Sequence, residues 1–101
     1  MPDLDFQLLS TVSNSGMPKA TTIASAATIA PSTYLTMVSG TVALVNITPP
    51  VTGWCQLAFV FTNAAPAAFS TAGNIAVAFA PVQNVLAIGV YNPVTNKWYF
   101  K

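Results

Sequence analysis

The sequence predicts an all-β domain, a small antiparallel sandwich or barrel-like fold of about seven short strands behind an N-terminal arm. Val, Ile, Thr and aromatic residues dominate from residue 20 onward, and Pro or Gly interrupts them about every 8–12 residues. Between these breaks, side chains alternate in type with a period of two. Helix is disfavoured, because the Ala-rich stretches lack a helical period and have many β-branched neighbours.

The predicted strands are residues 22–29, 34–38, 41–48, 54–62, 75–80, 85–91 and 97–101. Pro49 and Pro50 end the third strand, since proline cannot donate a hydrogen bond to a neighbouring strand. In the fourth strand, one face is wholly apolar and is therefore expected to point at the core. That face consists of Cys55, Leu57, Phe59 and Phe61.

Charge is scarce throughout the chain. Its 101 residues, enough for one domain, are 53% hydrophobic and 5% charged, against roughly 25% charged in typical domains. The charged residues are Asp3, Asp5, Lys19, Lys97 and Lys101. Weakly charged surfaces tend to associate. We therefore expect an oligomer with an uncharged Thr, Ser and Asn exterior.

Neither a membrane span nor a signal peptide is expected. The most apolar stretch, residues 75–91, is interrupted by Pro81, Gln83 and Asn84, and a spanning helix needs about 20 mostly apolar residues. Asp3 and Asp5 occupy the place where a signal peptide carries positive charge.

The composition also argues against catalysis, cofactors, metals and nucleic acid. The chain has no His, Glu or Arg, both Asp residues lie in the arm, and no motif places Lys19 or Lys97 beside a serine. Three lysines do not make a patch for phosphates, and the scattered glycines form no phosphate loop. Cys55 is the only cysteine. It is either a buried thiol acting as a small hydrophobe or a reactive or interchain-bonded one.

Three sets of residues are candidates for contact with partners. Residues 1–19 form the predicted arm, and its anchor is Leu4, Phe6, Leu8 and Leu9; the alternative is a frayed terminus. The flat small face of the fifth strand, Ala76, Ala78 and Ala80, is the candidate subunit interface; the alternative is a surface without a partner. Trp54, Tyr91 and Trp98 are candidates to stack on a glycan; the alternative is that they are core or interface residues.

Four ordered stretches carry a resemblance to a known kind of domain. They are residues 22–26 (TIASA), 39–50 (SGTVALVNITPP), 71–76 (TAGNIA) and 91–99 (YNPVTNKWY). Together with their spacing they cover about four-fifths of the chain. The pattern resembles a small β-domain at the C-terminal ends of many tail-fibre, tail-spike and other virion-surface proteins of tailed bacteriophages.

The resemblance implies a trimeric, non-enzymatic part of a virion, because such domains typically close a trimeric fibre. They usually follow a long fibre or an enzyme, whereas here the domain follows about 20 residues. We therefore expect a capsid decoration or cement protein that docks by its arm on the major capsid protein or another virion protein. The alternative is a receptor-binding fibre tip that contacts host-surface glycan.

Overall fold

The computed structural model describes residues 20–101. The arm and its proposed anchor residues lie outside this range. The described part contains seven strands and no helix, which confirms the predicted all-β class. The strands are β1 (Ala20–Ala24), β2 (Thr28–Ile29), β3 (Leu35–Ser39), β4 (Asn46–Ile47), β5 (Cys55–Phe61), β6 (Leu86–Asn92) and β7 (Lys97–Phe100). No helix in these residues is long and apolar enough to cross a membrane.

In the first half of the domain, neighbouring strands run parallel to one another. A five-stranded sheet has the order β1-β3-β5-β6-β7, and a two-stranded sheet pairs β2 with β4. β1, β3 and β5 run parallel, with Ala20 opposite Leu35 and Leu35 opposite Ala58. Parallel neighbours need a crossover connection, and here each crossover passes through one strand of the small sheet, in which β2 and β4 are also parallel.

The prediction of an antiparallel domain is therefore wrong for the first five strands. The physical reason is that these connections are not tight hairpins: each is long enough to cross to the second layer and return. The second half is antiparallel, since β5 pairs with β6 and β6 with β7. The β6–β7 hairpin closes at Asn96, which has a left-handed φ of 56°.

Three predicted strands differ from the observed ones. The predicted strand 22–29 is divided between β1 and β2, which lie in different sheets. Only Asn46–Ile47 of the predicted strand 41–48 pairs with another strand. No strand forms over residues 75–80, where Ile75 makes one isolated parallel bridge with Trp98. Further along this segment the backbone pairs elsewhere, since the Phe79 carbonyl accepts a hydrogen bond from the amide of Phe69.

The core lies between the two layers. The predicted inward face of β5 is confirmed, because Cys55, Leu57, Phe59 and Phe61 are all buried. The opposite layer contributes Ile29, Leu44, Ile47, Phe69 and Ile75 to the same cluster. Phenylalanine rings fill the centre: the Phe69 and Phe100 centroids are 4.9 Å apart in an edge-to-face arrangement, a geometry that aromatic quadrupoles favour.

Candidate binding surfaces

The charged and nucleophilic side chains of residues 20–101 do not form a cluster that resembles a catalytic or metal site. Lys97 and Lys101 are the only charged side chains in this range. The Lys97 ammonium donates a hydrogen bond of 2.9 Å to the Gly73 carbonyl. Cys55 faces the core, and burial raises the pKa of its thiol above the usual value. Within residues 20–101, no group of three or more His, Cys, Asp or Glu side chains is placed to hold a metal ion.

A group of hydrogen bonds around Asn74, which we call the Asn74 network, joins three of the four stretches that carry the resemblance. The Asn74 amide nitrogen Nδ2 donates to the Ile47 carbonyl, and the Ile47 backbone N–H donates to Asn74 Oδ1, both at 2.8 Å. The Trp98 indole N–H donates to the same carbonyl at 2.8 Å, and the Asn74 N–H donates to Asn46 Oδ1. A Cβ on Gly73 would overlap that Asn46 oxygen. These motif residues therefore have a structural role in this fold.

The three glycan-contact candidates lie in different environments. Trp98 has no exposed surface, and its ring packs against Tyr91 with centroids 5.4 Å apart. Its assignment as a sugar-stacking residue is corrected, because its inward position in β7 points the indole into the core. Trp54 is 62% exposed, and Tyr91 is half-buried. Trp54 and Tyr91 thus keep accessible ring surface.

An open cleft of about 430 Å³ includes Gly53, the residue before Trp54, but Trp54 itself does not line it. Its lining residues are Pro49, Pro50, Val51, Thr52, Gly53, Tyr91, Pro93 and Asn96. The Tyr91 hydroxyl donates to Asn96 Oδ1 at 3.1 Å across the mouth of the hairpin. The lining is apolar with a few uncharged polar groups, which suits an uncharged ligand. Sequence reasoning missed this cleft, although the Pro-Pro and Gly-Trp pairs at its rim mark an exposed turn.

The five-stranded sheet has an apolar second face, which we call the outer face. The strand registers place six large apolar side chains together on the side away from the core. They are Leu35, Met37, Val60, Leu86, Ile88 and Val90. Leu86 is 56% exposed, the other five are half-buried, and none belongs to the buried cluster.

Ring packing in the core explains why the large residues of β6 point outward. Ala87 pairs with Phe59, and Gly89 pairs with Phe100. A Cβ at Gly89 would lie 2.6 Å from the Phe100 ring, so only small residues fit at these two inward positions. Sequence reasoning noted the alternation in this strand but did not assign its large residues to a face.

A second apolar surface runs along residues 76–85, which we call the exposed ribbon. Val77, Val82 and Val85 are 64%, 60% and 54% exposed. Ala78 and Ala80 are exposed and Ala76 is half-buried. The strand predicted to present these alanines as a flat face is absent. The segment is nonetheless mostly apolar and accessible, with Gln83 and Asn84 as its exposed polar residues.

The chain matches no family model, and no curated protein or solved structure is significantly similar to it.

Proposed function

We propose that this chain is a non-enzymatic structural protein of a phage virion. In this proposal it decorates or cements the capsid, trimerises through its β-domain, and docks by its arm on the major capsid protein or another virion protein. The observation that carries the proposal is the pairing of a nearly uncharged domain with an exposed apolar ribbon. Such a surface favours burial against other subunits over isolation in water.

The ribbon supports a contact between copies. Val77, Val82 and Val85 leave more than half of their surface in solvent, and Ala78 and Ala80 beside them let another chain approach closely. A domain of this size buries a modest fraction of its surface on its own. A three-fold assembly adds shared apolar burial, and capsids offer three-fold and quasi-three-fold positions for it.

The sequence resemblance supports the virion as the location. Its stretches include residues 39–50, 71–76 and 91–99, which are joined by the hydrogen bonds of the Asn74 network. A stretch of sequence that builds one particular hydrogen-bonded junction is a more specific signal of fold than its composition is.

Light scattering on the purified protein tests the oligomer, with a trimer expected at micromolar concentration. Val82→Lys and Val85→Lys should shift the population to monomer, because an apolar contact would have to bury an unpaired charge. Val94→Lys is the matched control, since Val94 is 87% exposed in the β6–β7 turn. A folded wild-type monomer at that concentration would refute trimerisation.

Attachment to capsids tests the docking role of the arm. Replacing Leu4, Phe6, Leu8 and Leu9 with Ser should abolish co-sedimentation with undecorated capsids while the β-domain stays folded by circular dichroism. Attachment that persists at wild-type level would show that these residues are not the anchor.

A fibre tip that binds host-surface glycan is the second candidate function. The exposed Trp54 ring and the uncharged cleft that contains Tyr91 favour it, because aromatic faces with uncharged polar groups suit neutral sugars. A glycan array should identify a ligand, and Trp54→Ala should remove the binding. Tyr99→Ala, another exposed aromatic residue, should leave it unchanged. Absence of binding to any glycan would exclude this role.

A further inference from the structure

The two borders of the main sheet differ. At the β7 border, the Trp98 N–H donates to the Asn74 carbonyl at 2.7 Å, and the Ala76 N–H donates to the Trp98 carbonyl at 2.9 Å. At the opposite border, β1 pairs with β3 alone among residues 20–101. One border is thus occupied by the chain itself, while the other presents one side of a strand to its surroundings.

β1 lacks the features that normally keep an edge strand from pairing with another chain, which are charged side chains, proline or a bulge. Ala20–Ala24 contains no charged residue and no proline, and it pairs with β3 residue by residue. The Ser25 N–H donates to the Ser39 carbonyl of β3 at 2.7 Å. Alternation along the strand therefore turns the backbone N–H and C=O groups of Thr22 and Ala24 away from β3.

A segment of the exposed ribbon has the complementary property. Residues 78–82 run without a turn or bend, yet they form no strand. The Phe79 carbonyl accepts a hydrogen bond of 2.8 Å from the Phe69 N–H, so the backbone groups of Ala78 and Ala80 on either side of it point the other way. Both alanines are exposed, and their backbone groups have no hydrogen-bond partner among the described residues. One side of this segment is therefore open for pairing.

We propose that residues 78–82 of one copy pair with the edge of β1 in the next copy. This inference rests on the proposed trimer and names the contact that closes it. β1 lies four strand spacings from β7, about 19 Å, whereas Ile75 and Phe79 contact β7. The two elements therefore lie on opposite sides of the domain. A head-to-tail contact between them repeats from copy to copy and closes after three copies in a three-fold ring.

The chemistry of the two segments is compatible with this pairing. Neither β1 nor residues 78–82 contains a charged side chain, so the contact desolvates no charge. Pro81 lacks an N–H, but it alternates with Phe79 and so removes no donor from the open side of the segment. The strand that the sequence predicts over residues 75–80 would thus form between copies, which explains why it is absent from a single chain.

Disulfide trapping in the full-length Cys55→Ala protein tests the contact. Thr22→Cys combined with Ala80→Cys should give a covalent trimer on oxidation, because one thiol of each copy meets the other thiol of its neighbour. Thr22→Cys with Ala78→Cys covers the register shifted by two residues. The control pair, Thr22→Cys with Val94→Cys, should cross-link about tenfold more slowly, although Val94 is 87% exposed.

Disulfide-linked dimers of Thr22→Cys alone, formed as fast as the test pair, would overturn the inference, because two β1 edges would then meet each other. Equal rates for the test and control pairs would also overturn it. If light scattering still found a trimer in that case, the proposed trimer would stand with a different contact. A monomer by light scattering would refute the trimer and this contact together.

Proline at the β1 edge gives a second measurement. Thr22→Pro removes a backbone donor that faces away from β3, so it should leave the circular dichroism unchanged and raise the fraction of monomer severalfold. Thr22→Val keeps that donor and should leave the trimer intact. An unchanged trimer in Thr22→Pro with native circular dichroism would overturn the inference. Both measurements use isolated protein, so failure of capsid attachment would not affect them.

Discussion

Replacing Asn74 with Ala should destabilise the domain far more than other Asn→Ala changes. The Asn74 side chain forms the two hydrogen bonds that a neighbouring strand would form with Ile47. It donates to the Ile47 carbonyl and accepts from the Ile47 N–H, both at 2.8 Å. Ile47 has no exposed surface, so water does not readily replace the lost partner. The substitution therefore leaves a buried donor unsatisfied.

The expected loss is about 2–4 kcal/mol in the free energy of unfolding, because a buried donor without a partner costs about 1–3 kcal/mol and a removed hydrogen bond contributes about 1 kcal/mol net. The Ile47 carbonyl is not left unsatisfied, because it keeps the Trp98 indole N–H at 2.8 Å. For a domain of this size the change corresponds to a fall of about 10–30 °C in Tm.

Urea unfolding followed by tryptophan fluorescence measures this change at one fixed protein concentration. Asn63→Ala is the matched control. Asn63 accepts a hydrogen bond of 3.0 Å from the Ala65 N–H on an exposed turn, where water can substitute, so its loss should stay below about 1 kcal/mol. Similar losses in the two variants would refute the argument from burial.

A double-mutant cycle measures the coupling between the Asn74 and Trp98 side chains, which share the Ile47 carbonyl as a hydrogen-bond acceptor. In Trp98→Phe the Ile47 carbonyl keeps the Asn74 donor, and in Asn74→Ala it keeps the Trp98 donor. Only the double variant removes both side-chain donors. The double loss should therefore exceed the sum of the single losses by about 1–2 kcal/mol, as coupled neighbours do. Strict additivity would show that the two donors do not share this acceptor in solution.

Three further substitutions or titrations probe other parts of the domain. Gly89→Ala should cost about 1–3 kcal/mol by overpacking against the Phe100 ring, and unchanged urea unfolding would contradict this. Thr33→Val should cost about 1–2 kcal/mol, because it removes the buried hydroxyl that donates to the Leu35 carbonyl at 2.7 Å; an unchanged urea midpoint would refute this. Because burial raises the pKa of Cys55, its stabilising contribution should be complete below the unfolded-state pKa and be lost as pH rises through the folded one. The thiol should react slowly with a disulfide reagent at pH 8 and quickly in denaturant, and equal rates would contradict its burial.

Local pattern was sufficient to predict the β class and one core face. The alternation in β5 identified Cys55, Leu57, Phe59 and Phe61 as buried, because side chains on a strand alternate between the two faces. The hairpin between β6 and β7 was similarly evident from the residues at its turn. These features depend on neighbours within about ten residues along the chain.

Strand direction and the fate of residues 75–80 depend on distant partners. Whether a connection forms a hairpin or crosses to a second layer is decided by packing between Ile29, Ile47 and the large sheet, and no local pattern records it. Ile75 and Phe79 alternate as a strand would, yet only Ile75 forms a backbone bridge with β7, at Trp98. Phe79 contacts β7 through its ring alone, with its centroid 5.6 Å from that of Phe100. Buried Trp98 could not be distinguished from exposed Trp54 by residue type, since both rings suit a core or a surface.

The parallel arrangement of β1, β3 and β5 has a consequence for the order of folding. The β6–β7 hairpin pairs Asn92 with Lys97 and requires only a small loop to close. The parallel pairs join Ala20 to Leu35 and Leu35 to Ala58, which lie 15 and 23 residues apart along the chain. The nearest β5–β6 pair, Val60 and Leu86, lies 26 residues apart. Since the entropy of loop closure rises only slowly with loop length, these pairings cost nearly the same to close. The β6–β7 hairpin is therefore expected to form first, and the other pairings of the sheet to follow it.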